Sequence, residues 1–220
     1  MKYKCLVLDH DDTTVSSTPV IHYPAFCKIL EDLRPQSHYS MAEFLTLNFD
    51  PGLVNFYRND LGLSDAEMLY EAEVWRSFLE KVTPNFFPGM AEVVQRQKAE
   101  GGLVCVVSHS FCDYILRDYR NAGVSEPDMI FGWDVDRSHC KPNPYPLREI
   151  MKHFDLSPKD ILTVDDLPMG MEMAHAVGAD FASALWGYDV PEVRLSMEKD
   201  AEFLLSSVEA LDSLLFGAEK

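Results

Sequence analysis

The chain has no apolar run long enough to cross a membrane, no internal repeat and no low-complexity tract. Positive charge is scarce: 19 Lys and Arg stand against 36 Asp and Glu, a net charge of −17. That balance excludes docking on nucleic acid or an anionic membrane through a basic face. The five cysteines, Cys5, Cys27, Cys105, Cys112 and Cys140, are odd in number and show no metal-type pairing. Cys5 and Cys105 lie inside apolar runs, as buried free thiols of a reducing compartment do. Asp9 interrupts the first apolar run too early for a signal peptide, so a cytoplasmic protein is expected. What remains is ample for a fold. The apolar fraction is 47%, and 220 residues suit one large domain or a core with a smaller insert.

The chain is organised around residues 3–15. Cys5-Leu6-Val7-Leu8 is a short apolar run without alternation, which predicts a strand of a parallel sheet buried on both faces. Asp9, Asp11 and Asp12 follow at its carboxyl end, where open α/β sheets place ligands. Next comes a block with no convincing strand. Tyr23–Leu33 and Met41–Leu47 have helical spacing, the second behind Ser40 as N-cap. Asp50–Tyr57 is a third short helix, and Ser64-Asp-Ala-Glu67 is a capping box opening a helix to about Lys81. Residues 16–83 therefore predict a small all-helical domain inserted into a core made of 1–15 and 84–220. In that core, helices at Met90–Glu100, Phe111–Asn121, Lys141–Phe154 and a Met-rich stretch to Gly178 alternate with strands. The strands are Leu103–Val107, Met129–Phe131, Ile161–Val164, Phe181–Leu185 and a short one near Phe203–Leu205. Alternating apolar strands and helices predict an α/β fold with a doubly wound, Rossmann-like parallel sheet.

Four strand or helix ends carry polar groups: Asp9 with Asp11, Ser108, Lys141, and Asp165 with Asp166. In a parallel sheet these ends share one edge, so acids, a hydroxyl and an ammonium converge there. Taken singly, each has a plainer reading. Asp9–Asp12 fits an Asp-rich turn, Ser108 a helix N-cap, Lys141 a solvated lysine, and Asp165-Asp166 a loop cap. Their coincidence in this order points instead to phosphoryl transfer. A carboxylate can accept the phosphoryl group, a lysine and a magnesium ion can neutralise its oxygens, and an all-oxygen acid cluster suits a hard cation.

These motifs resemble the haloacid dehalogenase-like hydrolases, in the branch with a helical cap inserted after the first motif. The family's Asp-x-Asp-x-Thr stands here as Asp9-His10-Asp11-Asp12-Thr13. Its strand-end Ser or Thr is Ser108, and its Lys-Pro-x-Pro is Lys141-Pro142-Asn143-Pro144. The final acidic pair is Asp165-Asp166, followed by Leu167-Pro168-Met169-Gly170. Phe87-Pro88-Gly89 resembles the return from the cap. Three positions depart from the pattern: Asp12 stands where Gly is usual, Leu167 where Ser is usual, and His109 where Asn is common.

The resemblance implies roles. Asp9 is the nucleophile, and Asp11 the general acid and then base. Ser108 and Lys141 hold the phosphoryl group. Magnesium is implied on Asp9, the Asp11 main-chain carbonyl and Asp166, with Asp165 in or near the coordination shell. Asp11 argues against dehalogenation and phosphonate cleavage, whose branches lack an acid at that position. The expectation is a magnesium-dependent phosphohydrolase acting on a small phosphorylated metabolite through an aspartyl-phosphate. A sugar-phosphate mutase on the same core is the close rival. A phospho-accepting receiver domain is a signalling alternative, but its motif order differs: here no Asp ends a strand between Asp11 and Ser108.

Overall fold

The computed structural model describes residues 1–188 and 190–217. These fall into two compact units, Met1–Ser16 with 85–188 and Arg194 onward, and Ser17–Pro84 with Val190–Val193. The sequence reading had given Val190–Val193 to the core. Among the described residues no helix is long and apolar enough to cross a membrane.

The first unit is built on six parallel strands: β1 (Cys5–Leu8), β2 (Leu103–Val107), β3 (Met129–Phe131), β4 (Ile161–Asp165), β5 (Asp180–Ala184) and β6 (Phe203–Leu205). Their order is β3-β2-β1-β4-β5-β6. All pairings are parallel, with Leu8 level with Val106 on one side and Val164 on the other. The unbroken apolar runs have their predicted cause, because every residue of β1 and β4 is buried. Leu6, Leu8, Val104, Val106, Leu162 and Val164 join one core cluster. With them pack α5 (Met90–Ala99), α6 (Cys112–Asn121) and α10 (Val208–Phe216) of the ten helices named in this section. The unit also holds α7 (Tyr145–Phe154) and α8 (Pro168–His175). β1 pairs with both β2 and β4, so the strand order reverses at β1 and leaves a crevice at its carboxyl end.

The second unit is helical: α1 (Tyr23–Leu33), α2 (Met41–Phe49), α3 (Leu53–Asn55) and α4 (Asp65–Lys81). A further helix, α9 (Pro191–Met197), begins in its later segment. Ser40 with Glu43 and Ser64 with Glu67 form complete capping boxes at the starts of α2 and α4. Phe26, Phe44, Phe56 and Tyr57 fill its core, with the Phe26 and Phe44 rings 4.9 Å apart. Two segments depart from regular α-helix. Thr18–His22 is a π-helical turn leading into α1; Pro19 sits at its first turn, where a missing N–H costs nothing. The Asp50–Tyr57 segment is a three-residue helix that widens into a second π turn over Phe56–Asp60. The chain leaves the sheet unit at Ser16 and returns beside that point, with Ser16 N–H donating to Asn85 O at 2.9 Å.

Candidate active site

The end of β1 is held rigidly. Asp9 N–H donates to Val164 O at 2.9 Å, and Thr14 Oγ1 donates back to Asp9 O at 2.6 Å. Thr14 N–H and Val15 N–H both donate to His10 O, closing a tight turn over 10–15. Asp12 occupies the left-handed region of that turn, with φ 56°. Glycine takes that conformation freely, and Asp and Asn are among the few other residues that tolerate it. The substitution noted in the sequence therefore keeps the loop's shape and adds a buried carboxylate. The loop after β5 covers this turn. Trp186 Nε1 donates to Thr13 O at 3.0 Å, and a Cβ on Gly187 would meet Asp12 O at 2.7 Å, too close for any side chain.

Lys141 is not a solvated lysine. It is 8% exposed and donates to Asp9 Oδ1 at 2.7 Å and Asp165 Oδ2 at 2.5 Å. Burial alone would lower its pKa, but Asp165 and Asp9 outweigh that and hold the ammonium above its ordinary value. Asp165 Oδ1 also accepts from Leu167 N–H at 2.9 Å. A Cβ on Gly170 would overlap the Asp165 carboxyl, so α8 approaches Asp165 this closely only because Gly170 lacks one. Thr13 Oγ1 lies 3.4 Å from Asp166 Oδ1. Asp9, Asp165 and Asp166 each offer a carboxylate oxygen, and these atoms lie within 4.8 Å of one another. One ammonium does not balance three carboxylates. Burial, then Asp9, pushes Asp165 up to about 6 against the pull of Lys141, and burial with Asp165 and Asp9 raises Asp166 well above the usual carboxylate range.

Ser108 is buried at the end of β2; its N–H donates to Phe131 O at 2.9 Å, and its Oγ accepts from Ser110 N–H at 3.2 Å. It is not the N-cap of α6, a place taken by Phe111. His109 lies 3.2 Å from Lys141 O through Nε2, and burial, then the Lys141 charge, lowers it to about 4. As a neutral ring it donates to that carbonyl and fixes the main chain of Lys141. Asp9, Lys141, Asp165 and Asp166 thus meet in one cluster, and Asp11 lies close enough for its charge to act on His109.

The sequence reading missed Thr14, Trp186 and Gly187 as supports of the nucleophile turn. A signal existed only for Gly187, a glycine just past a core strand, where close backbone approach is common.

All donors in the acidic cluster are oxygen, no Cys or His among the described residues shares it, and burial with carboxylate repulsion pushes Asp165 and Asp166 up. That donor set fits a hard divalent cation.

The α/β architecture is shared by solved structures. A predicted phosphoglycolate phosphatase from Haemophilus somnus superimposes with a TM-score of 0.81 at 19% identity, covering 98% of this chain and 99% of that one. A haloacid dehalogenase-like family hydrolase from Streptococcus pneumoniae gives 0.74 at 16%, with 99% of each chain covered. A HAD family hydrolase from Deinococcus radiodurans, solved with bound phosphate and sodium, gives 0.73 at 19%, covering 97% and 95%. No curated protein sequence matches significantly. A family model described as haloacid dehalogenase-like hydrolase matches residues 6–184, from the second residue of β1 to the end of β5, including every residue of the acidic cluster. The chain belongs to the haloacid dehalogenase-like hydrolases.

Proposed function

We propose that this hydrolase is a phosphatase that cleaves phosphoric monoesters of small metabolites through an aspartyl-phosphate on Asp9, with magnesium as cofactor. The observation that carries the proposal is the Asp9–Lys141 pair, 2.7 Å apart at the carboxyl end of β1 and flanked by Asp165 and Asp166. An accepting carboxylate and a fixed cation are what a transferring phosphoryl group requires on either side.

In this mechanism Asp9 Oδ2 attacks phosphorus, forming the acyl-phosphate bond as the ester P–O bond breaks. Asp11 gives its proton to the departing alkoxide, which leaves as the alcohol. Asp11 then removes a proton from water as that water attacks phosphorus, releasing phosphate and restoring Asp9. Lys141 neutralises phosphoryl oxygens throughout, and Ser108 donates its hydroxyl proton to another. Asp9, the Asp11 carbonyl, Asp165 and Asp166 would hold magnesium, which when bound supplies further neutralisation of phosphoryl charge. The helical unit, inserted directly after the nucleophile turn, is assigned the role of a cap that selects the leaving group. All five cysteines are free thiols, which supports action in a reducing cytoplasm.

Phosphate release should be assayed with an aryl phosphate and a panel of metabolite phosphates that includes phosphoglycolate. The wild-type protein turns over the aryl phosphate with magnesium, stops in chelator and restarts when magnesium returns. Asp9→Asn, nearly isosteric, folds normally and loses activity by at least about 10³-fold, the scale of removing a covalent nucleophile. Substantial turnover by folded Asp9→Asn protein would refute the nucleophile. Transfer of phosphate between sugar hydroxyls, without net release, would favour the mutase.

A further inference from the structure

His10 stands between the two proposed catalytic carboxylates and is 1% exposed. Its contacts set it apart from both neighbours. Asp9 meets Lys141, and both Asp9 and Asp11 lie near enough to act on His109, whereas His10 points to α6. There His10 Nε2 donates to Asp118 Oδ2 at 3.1 Å across 108 residues of sequence. Asp118 is 3% exposed, and its Oδ1 accepts from Arg117 Nε at 2.8 Å. The imidazole stacks on Tyr119, centroids 6.2 Å apart and planes 24° from parallel, and Tyr119 in turn meets Phe86 edge-on. Its Nδ1 has no hydrogen-bond partner among the described residues, so the ring is held in place through Nε2.

An apolar residue would fill this space. Replacing both partners of a buried hydrogen bond by well-packed apolar groups is often nearly neutral or stabilising, so the pair is not explained by stability alone. What it supplies is a fixed direction. Its position also matters, because α6 begins just after the Ser108 loop. One hydrogen bond therefore ties the nucleophile turn to the helix that follows the Ser108 loop. We propose that His10 is a positioning residue: anchored on Asp118, it fixes the rotation of the Asp9–Asp11 main chain so that both carboxylates aim at the reacting phosphorus. This rests on the reading of Asp9 and Asp11 as nucleophile and acid.

The test compares wild type, His10→Phe, Asp118→Leu, their double variant and Asp118→Asn. All are assayed on an aryl phosphate with magnesium, well below each unfolding midpoint. Phe keeps the ring's volume without the donor, and Asn keeps an acceptor oxygen. His10→Phe and Asp118→Leu should each lower kcat by about 30-fold, within the range that small misplacements of reacting groups produce, with KM changed less than about twofold. The double variant should be no slower than the slower single one, and Asp118→Asn should recover most of kcat. An active wild type with a fully active His10→Phe protein overturns the anchor and leaves the phosphatase reading standing. Additive losses in the double variant, or Asp118→Asn as slow as Asp118→Leu, also overturn it. An inactive wild type overturns both readings. Should Asp118→Leu fail to fold, His10→Phe against Asp118→Asn decides alone.

Discussion

Asp12 shows how one residue can keep a backbone and change a field. Its φ of 56° is what a glycine would supply, and its carboxylate adds to the charges that raise Asp166. Asp12→Asn keeps the left-handed tolerance and removes only the charge. Without metal at pH 7.5 it should stabilise the protein by about 1 kcal/mol, a rise in midpoint of roughly 2–4 °C for a chain of this size. Calorimetry checks this, and a lower midpoint would mean that hydrogen bonds made by the carboxylate outweigh the repulsion. At this scale the catalytic candidates were legible, because Asp9, Asp11, Ser108 and Asp165-Asp166 end or follow recognisable strands, and Lys141 opens a Lys-Pro-x-Pro stretch, although the helix expected from Lys141 begins only at Tyr145. Their supports were not. His10 and Asp118, or Trp186 and Thr13, are partners only through the folded chain, and nothing in their local sequence announces a partner more than a hundred residues away.

Among the elements, the legible ones are those whose ends carry their own chemistry. The Ser40 N-cap and the Ser64 capping box form as their sequences predict, Glu43 completing a box at Ser40 as well, and α1 spans Tyr23–Leu33 as its apolar spacing requires. The π turns at Thr18–His22 and Phe56–Asp60 were illegible, because a widened turn has no spacing signature distinct from an ordinary helix or loop. The sheet's strands were legible through their unbroken apolar runs, but the order β3-β2-β1-β4-β5-β6 was not, because nothing in a strand's own sequence names its neighbours. The Ser64 box also yields a local prediction. Ser64→Ala removes the hydroxyl that accepts from Glu67 N–H and should cost α4 about 1 kcal/mol. In hydrogen exchange the α4 amides, and those of α1 that pack with it, should exchange about fivefold faster, while β1 and β4 stay unchanged. Equal acceleration in the β1 and β4 amides would show that the helical unit does not open independently of the sheet.

For the whole molecule, the acidic cluster makes stability depend on pH, and under the proposed function on magnesium as well. Asp165 titrates near 6 in the fold against about 3.9 unfolded, and Asp166 is displaced in the same direction. Between those values the folded state binds more protons than the unfolded state. Stability from this source is therefore complete below about pH 4 and is lost as pH rises through about 6. His109 has the opposite sign: its folded value near 4 lies below the ordinary histidine value, so its contribution is present above about 6.5 and lost as pH falls toward 4. The two partly cancel in a plain pH scan of the metal-free protein. In the effect of magnesium they do not cancel. A cation on ionised Asp9, Asp165 and Asp166 replaces the missing protons, and by offsetting the Asp9 charge that favours a protonated His109 it shifts that ring in the same pH sense. The rise in unfolding midpoint caused by millimolar magnesium should therefore be several degrees at pH 7.5 and much smaller at pH 5, where protons compete for the same oxygens. Asp166→Asn should shrink the rise at pH 7.5 and flatten its pH dependence. A magnesium effect of equal size at both pH values would place the cation away from this cluster and remove the electrostatic reason for gathering three carboxylates around Lys141.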